Sequence, residues 1–184
     1  MRVISGNARG KKLVSLEGMN TRPTLDRVKE ALFNIIQFDI ADKNVLDLFA
    51  GSGAIGIEAI SRGAKSATFC DNSIDAVKII KTNIENTRSK DKATVINKDY
   101  SLVLKQLGKE NKQFDIIYLD PPYKTDFANK AIEEIINLNL LSKDGIIIVE
   151  TDDNKKDETI NTKNIKIFDK RKCGRAILIF IRKE

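Results

Sequence analysis

Between Val45 and Thr151, short and densely apolar runs alternate with segments whose apolar residues recur at helical spacing. This alternation restricts the fold more than any other feature of the chain. Val45–Phe49, Ser66–Cys70, Thr94–Ile96, Phe114–Leu119 and Gly145–Val149 read as strands. Ala54–Arg62, Ala76–Ile84, Leu102–Leu107 and Ala128–Leu138 read as helices. Strands that are apolar along their whole length need cover on both faces, and helices returning each strand in parallel supply it. The expectation is an α/β fold, a mostly parallel sheet with helices on both faces. Ile165–Phe168 and Ala176–Ile181 would add an antiparallel C-terminal edge, joined by a basic turn at Lys170–Arg175, while Asp152–Lys163 reads as an exposed loop. Upstream, Arg2–Ser5 and Lys12–Leu16 flank Gly6-Asn7-Ala8-Arg9-Gly10, a pattern for a small hairpin. Thr24, next to Pro23, is placed to cap a helix through Val28, Leu32, Ile35 and Ile36. The chain thus divides into residues 1–44, hairpin and helix, and residues 45–184, the α/β body.

Composition removes several function classes. No apolar run approaches the roughly 18 residues a membrane span needs, and Met1–Gly6 lacks the apolar stretch of a secretory signal. There is no histidine, and the two cysteines, Cys70 and Cys173, are far apart. Zinc centres, histidine acid–base chemistry and Ser/His triads are therefore not expected, and no metal is called for. A reducing, cytoplasmic setting is the simplest reading. The net charge of +6 is unevenly spread. Residues 1–44 carry eight basic and five acidic side chains, residues 45–162 sixteen and nineteen, and residues 163–184 eight and two. A lysine-rich surface would explain this without function. The alternative is a polyanion footprint at both ends of a near-neutral catalytic body.

Gly51-Ser52-Gly53-Ala54-Ile55-Gly56 matches G-x-G-x-x-G between a strand and a helix, with Asp71 twenty residues on. That pattern alone also fits an NAD-dependent oxidoreductase. Asp47, just ahead of the glycines, turns the reading towards S-adenosylmethionine, because a carboxylate suits a cationic sulfonium and repels a pyrophosphate. Asp71 then becomes the acceptor for ribose hydroxyls. Asp99 becomes an acceptor for the adenine amino group, or simply a helix N-cap. Cys70 reads as a small buried hydrophobe.

The most specific element is Asp120-Pro121-Pro122-Tyr123, delivered by the apolar strand Phe114–Leu119. An exocyclic base amine is a weak nucleophile because its lone pair is delocalised into the ring. Hydrogen bonds from that amine to the Asp120 carboxylate and the Pro121 carbonyl favour a pyramidal nitrogen and stabilise the charge it develops. The two prolines stiffen the loop. Tyr123 offers a face on which an extruded base stacks, worth about 1–3 kcal/mol. The reaction class is amino-methylation of a nucleobase. The motif by itself also fits a DNA adenine-N6 or cytosine-N4 methyltransferase, although 184 residues leave little room for a separate target-recognition domain. A non-catalytic RNA-binding module is a further alternative.

The N-terminal residues narrow the choice. Val3-Ile4-Ser5-Gly6-Asn7-Ala8-Arg9-Gly10-Lys11-Lys12-Leu13 is followed by Arg22-Pro23-Thr24-Leu25-Asp26-Arg27-Val28-Lys29-Glu30-Ala31-Leu32-Phe33-Asn34. With the glycine loop and D-P-P-Y, these resemble the RsmD family of bacterial methyltransferases, which act on a guanine N2 of small-subunit (16S) rRNA, and the resemblance spans nearly the whole chain. It implies a Rossmann-like class I methyltransferase fold. It also implies a cofactor site of Asp47, Gly51, Gly53, Asp71 and Asp99, and a guanine amine held by Asp120, Pro121 and Pro122 with Tyr123 against the base. Where family members often carry an aromatic before the glycine matched by Gly174, this chain has Cys173. Arg9, Lys11 and Lys12 are candidate phosphate contacts, and Arg22 and Arg27 flank a helix start that would close over the cofactor. For Arg27 an exposed pair with Glu30 is the plainer alternative. The expected partner is small-subunit rRNA, naked or within the assembling 30S particle, bound by a monomer.

Overall fold

A computed structural model describes residues 1–15, 23–122 and 125–184, the side chains of residues 23–25 excepted. Its centre is a seven-stranded sheet: β1 (Asn44–Asp47), β2 (Ser66–Asp71), β3 (Ala93–Asn97), β4 (Phe114–Leu119), β5 (Leu141–Thr151), β6 (Ile165–Cys173) and β7 (Ala176–Lys183). The order is β3-β2-β1-β4-β5-β7-β6. β1 to β5 run parallel, and β7 lies antiparallel between β5 and β6. The expected α/β architecture and antiparallel edge are both present.

Two cores follow from the alternation of side chains along these strands. On one face, α1 (Pro23–Ile35), α2 (Ala54–Ser61) and α3 (Ile74–Asn86) cover Val45, Ala67, Phe69, Ile116, Tyr118 and Ile148. On the other, α4 (Tyr100–Lys109) and α5 (Phe127–Asn137) cover Leu46, Leu48, Ile117, Leu119, Ile147 and Val149. Val3, Ala8 and Leu13 join the first core, so residues 1–15 pack onto the sheet.

Several boundaries differ from the sequence reading, each for a physical reason. The N-terminal hairpin forms a single Arg2–Lys12 bridge, with Val3 N–H on the Lys11 carbonyl and Gly10 N–H on the Val3 carbonyl, both at 2.9 Å. Among the described residues it is a tight loop held by side chains of the body, without regular strands; Leu16 lies outside them. Thr24 does not precede its helix: α1 begins at Pro23, where a proline's missing N–H costs nothing. The basic turn at Lys170–Arg175 shrinks to Gly174-Arg175, because pairing with β7 draws Lys170–Cys173 into β6. The loop Asp152–Lys163 contains a one-turn helix, α6 (Lys156–Thr159).

Candidate active site

Ligands of open α/β sheets collect outside the carboxyl ends of the strands, where neighbouring strands send their chains to opposite faces. Here that point lies between β1, followed by α2, and β4, followed by α5. Asp47 closes β1 ahead of the glycine loop, Asp71 ends β2, Asp99 follows β3 and Asp120 follows β4. Asp47, Gly51, Gly53, Asp71, Asp99, Asp120, Pro121 and Pro122 therefore gather at one end of the sheet. Tyr123 and Arg22 lie outside the described residues.

The glycine loop is stretched between two strands. Leu48 N–H bonds the Tyr118 carbonyl at 3.1 Å and Ala50 N–H bonds the Cys70 carbonyl at 2.9 Å. Gly51 and Gly53 have φ of 54° and 76°, a region L-residues disfavour. A Cβ on Gly51 would meet no protein atom within 4 Å, so this backbone borders open space at the strand ends. Gly56 serves packing instead. A Cβ there would lie 2.3 Å from the Phe69 ring, so α2 sits directly on β2.

The carboxyls are placed by backbone donors. Asp71 accepts Gly51 N–H with Oδ2 and Ser73 N–H with Oδ1, each at 2.9 Å, and so ties the glycine loop to the start of α3. Asp47 is buried and accepts Gly56 N–H at 3.2 Å. Burial raises its pKa to about 7, a shift opposed by the Gly56 bond and assisted by Asp71. Asp99 caps α4 as the plainer reading anticipated, with Oδ1 accepting from Ser101 N and Oγ at 2.9 and 2.8 Å. Asp120 is exposed on one side, yet closely packed by protein on the others. Desolvation first, then Glu150 and Asp47, hold its carboxyl well above the usual range. Glu150, buried on β5, is likewise raised by desolvation, against the hydroxyl that Tyr118 donates to its Oε2. Among the described residues no lysine or arginine pairs with Asp47, Asp120 or Glu150. Asp47, Asp120 and Glu150 thus form an acidic cluster without an ion pair among the described residues, suited to a ligand that brings a positive charge. Cys70 is buried beside it, its thiol pushed up to about 12 by burial and then by Asp71, Asp47 and Asp99.

Other residues at this end carry no motif. Asn83, fully buried on α3, donates to the Ser52 and Val14 carbonyls at 2.9 Å and accepts Val14 N–H at 2.8 Å. One amide thus clamps the N-terminal loop and the glycine loop together. Its signal in the sequence is a polar residue between Ile80 and Ile84, on an otherwise apolar helix face. Phe49, Tyr100 and Phe127 form a row with ring centroids 5.3 and 5.2 Å apart, an apolar wall beside Asp99.

Among the described residues, the basic residues read as RNA contacts divide between the N-terminal loop, with Arg9, Lys11 and Lys12, and α1, with Arg27. Glu58 accepts Ile4 and Ser5 N–H at 2.8 and 2.9 Å, and Ser61 accepts Asn7 and Ala8 N–H through its carbonyl and Oγ at 2.9 Å. Lys29 and Arg62 pair with Glu58 at 3.2 and 2.8 Å. Ser61 ends α2, about 12 Å along the helix from the glycine loop. Exposed Arg9 and Lys11 therefore stand towards the amino ends of the strands, remote from Asp120, with Lys12 also exposed on the returning arm. Arg27 is exposed on α1, nearer the catalytic end, and among the described residues makes no ion pair with Glu30.

Known proteins resemble this chain in sequence and in fold. The family described as conserved hypothetical protein 95 matches residues 1–182. Ribosomal RNA small subunit methyltransferase D of Haemophilus influenzae is 40% identical over 156 residues, which span 84% of this chain and 80% of that one. A solved Escherichia coli structure, the candidate methyltransferase yhhF, superposes with a TM-score of 0.85 at 28% identity, covering 100% of this chain and 98% of its own. A candidate SAM-dependent methyltransferase from Streptococcus mutans, 20% identical with a TM-score of 0.69, covers 84% of this chain and 47% of its own, and shows the fold alone.

Proposed function

The chain belongs to the RsmD family, and from that membership we propose that it transfers a methyl group from S-adenosylmethionine to the exocyclic N2 amine of a guanine in small-subunit (16S) rRNA. The coarser activity, S-adenosylmethionine-dependent rRNA methylation, follows from the family and the fold. The choice of guanine N2 is the further step. Amino-methylation is carried by Asp120, delivered by a buried strand beside Asp47 and Glu150 and followed by two prolines, and the choice of guanine rests on the family resemblance of residues 3–34.

When bound, S-adenosylmethionine supplies an electrophilic methyl group on a sulfonium centre. Asp47 faces positive charge with a carboxyl that burial has made reluctant to ionise alone. Asp71 keeps lone pairs for ribose hydroxyls beyond those given to Gly51 and Ser73. Asp99 has Oδ2 for the adenine amine, next to the aromatic row. The Asp120 carboxylate and the Pro121 carbonyl accept the two N–H bonds of the guanine amine and hold its lone pair in line for attack. Thr125 donates to the Pro122 carbonyl at 2.7 Å, which steadies the loop from its far side. As the new N–C bond forms, the nitrogen sheds a proton. A cation bound beside Asp47 and Asp120 opposes the burial that keeps Asp120 neutral, and the ionised carboxylate is then the acceptor at hand. Tyr123 as stacking face, Arg22 and Arg27 over the cofactor, and Arg9, Lys11 and Lys12 on RNA belong to the same reading. So do the division into an rRNA-contacting 1–44 and a methyltransferase body 45–184, cytoplasmic location and monomeric action. No helix among the described residues is long and apolar enough to cross a membrane.

The test is transfer of labelled methyl to small-subunit particles, or their rRNA, from cells lacking the enzyme. Wild-type protein should transfer, and Asp120→Asn should lower the rate about 10²–10³-fold while still binding S-adenosylmethionine. Robust transfer to duplex DNA with none to rRNA would replace this reading with the DNA amino-methyltransferase.

A further inference from the structure

The β6–β7 turn stands at the catalytic end of the sheet. Leu119 pairs with Val149, which sets Asp120 level with Glu150, while Glu150 pairs with Leu178 and Leu178 with Arg171. One register row therefore runs from Asp120 across β5 and β7 to Arg171, three strand spacings or about 14 Å away. Cross-strand partners share a face, and Leu178 belongs to the same core as Tyr118 and Ile148. Arg171 thus projects from the face that carries Asp47, Asp120 and Glu150. The β6–β7 ladder outlasts β5: Thr151 pairs with Ile177, and Cys173–Ala176 lies beyond it. The turn, closed by Gly174 at φ 68°, stands proud of the sheet.

Its charge is concentrated and exposed. Lys170, Arg171, Lys172 and Arg175 lie within six residues at the turn, while Lys163, Lys166, Arg182 and Lys183 stand at the other end of the β6–β7 ladder. Lys170 is engaged with Asp157 and the Asn154 carbonyl, but Lys172, which pairs with Ile177 and so faces the other side of the sheet from Arg171, and Arg175 in the turn are exposed without an ion pair among the described residues. Arg171 meets Asp169 through Nε at 2.9 Å, which orients the guanidinium and leaves its Nη groups to a ligand. Charged edge strands also deter pairing between sheets, but that role needs no cluster at the turn. The acidic cluster repels phosphates at the point where the base must enter, so the backbone of the substrate has to be held to one side.

We propose that Arg171, Lys172 and Arg175 at the β6–β7 turn grip the phosphates flanking the target nucleotide, making this turn, more than the N-terminal loop, the RNA-docking element of the catalytic end. The proposal rests on the rRNA reading above.

The experiment compares wild type with Arg171→Gln/Lys172→Gln/Arg175→Gln and with a control of equal charge loss at the opposite end of the sheet, Lys65→Gln/Lys112→Gln/Lys143→Gln. Binding of a single-stranded RNA oligonucleotide is followed against salt, and methyl transfer to small-subunit particles is measured separately. Calorimetry with S-adenosylmethionine verifies each fold. The turn variant should lose at least tenfold in RNA affinity, and its slope of log K against log salt should flatten by about two, near 0.7 for each lost phosphate contact. The control should change much less. Equal loss in both variants, or none in the turn variant, overturns the proposal. Wild-type protein that binds RNA but methylates no small-subunit rRNA overturns the substrate reading and leaves the binding comparison intact.

Discussion

At the scale of the residue, the site is made of carboxyls waiting for a cation. Asp47 shows this most simply. Its folded pKa, near 7, lies above that of an unfolded aspartate near 4. The carboxyl is neutral below about pH 7, so cofactor-free protein loses this contribution to stability as pH rises from about 4 through 7. A bound cation favours the ionised form, so binding below pH 7 must release a proton. Affinity for S-adenosylmethionine should rise up to about tenfold per pH unit and level off above 7. Titration calorimetry across pH 5.5 to 8.5 reads this directly, and Asp47→Asn should weaken binding and flatten the slope. An equal slope in the variant would assign the proton elsewhere. Asp120 and Asp71 were legible in the sequence because each ends an apolar strand. Glu150 was not, since its role depends on β5 lying beside β4, a neighbour relation fixed only by the folded sheet.

At the scale of the element, most of the fold was legible because burial on both faces leaves continuous apolar runs. Phe114–Leu119 is the clearest case, read and observed with the same limits. β6 was underread, since an exposed edge strand keeps no apolar period through Lys170-Arg171-Lys172 and is extended by its pairing with β7. The N-terminal loop was recognised as a unit, but its direction follows from Glu58 and Ser61, polar residues within an apolar helix whose partners are more than fifty residues away. Asn83 joins that loop to the glycine loop. Asn83→Ala would leave the buried Ser52 carbonyl and the Val14 peptide groups unpaired, at about 1–3 kcal/mol for each buried group. At roughly 2–4 °C per kcal/mol for a chain of this size, Tm should fall by several degrees, and cofactor affinity should fall with it. A lowered Tm with unchanged affinity would limit Asn83 to a structural role.

At the scale of the whole molecule, the sheet separates chemistry from most of the surface. Its carboxyl end holds the acidic cluster, Asp120-Pro121-Pro122 and the basic β6–β7 turn. Its amino end holds the tip of the N-terminal loop, with Arg9 and Lys11. The sequence showed two basic termini around a near-neutral body, but could not show that exposed basic residues stand at both ends of the sheet, Arg9 and Lys11 at one and Arg171, Lys172 and Arg175 at the other. An assembling ribosomal particle is large enough to touch both. What the fold leaves to chemistry is the identity of the base. Small-subunit rRNA from cells lacking the enzyme, incubated with the protein and S-adenosylmethionine and digested to nucleosides, should yield N2-methylguanosine by mass spectrometry, formed about 10²–10³-fold more slowly by Asp120→Asn. N6-methyladenosine or N4-methylcytidine in its place, or N2-methylguanosine undiminished by Asp120→Asn, would contradict the assignment.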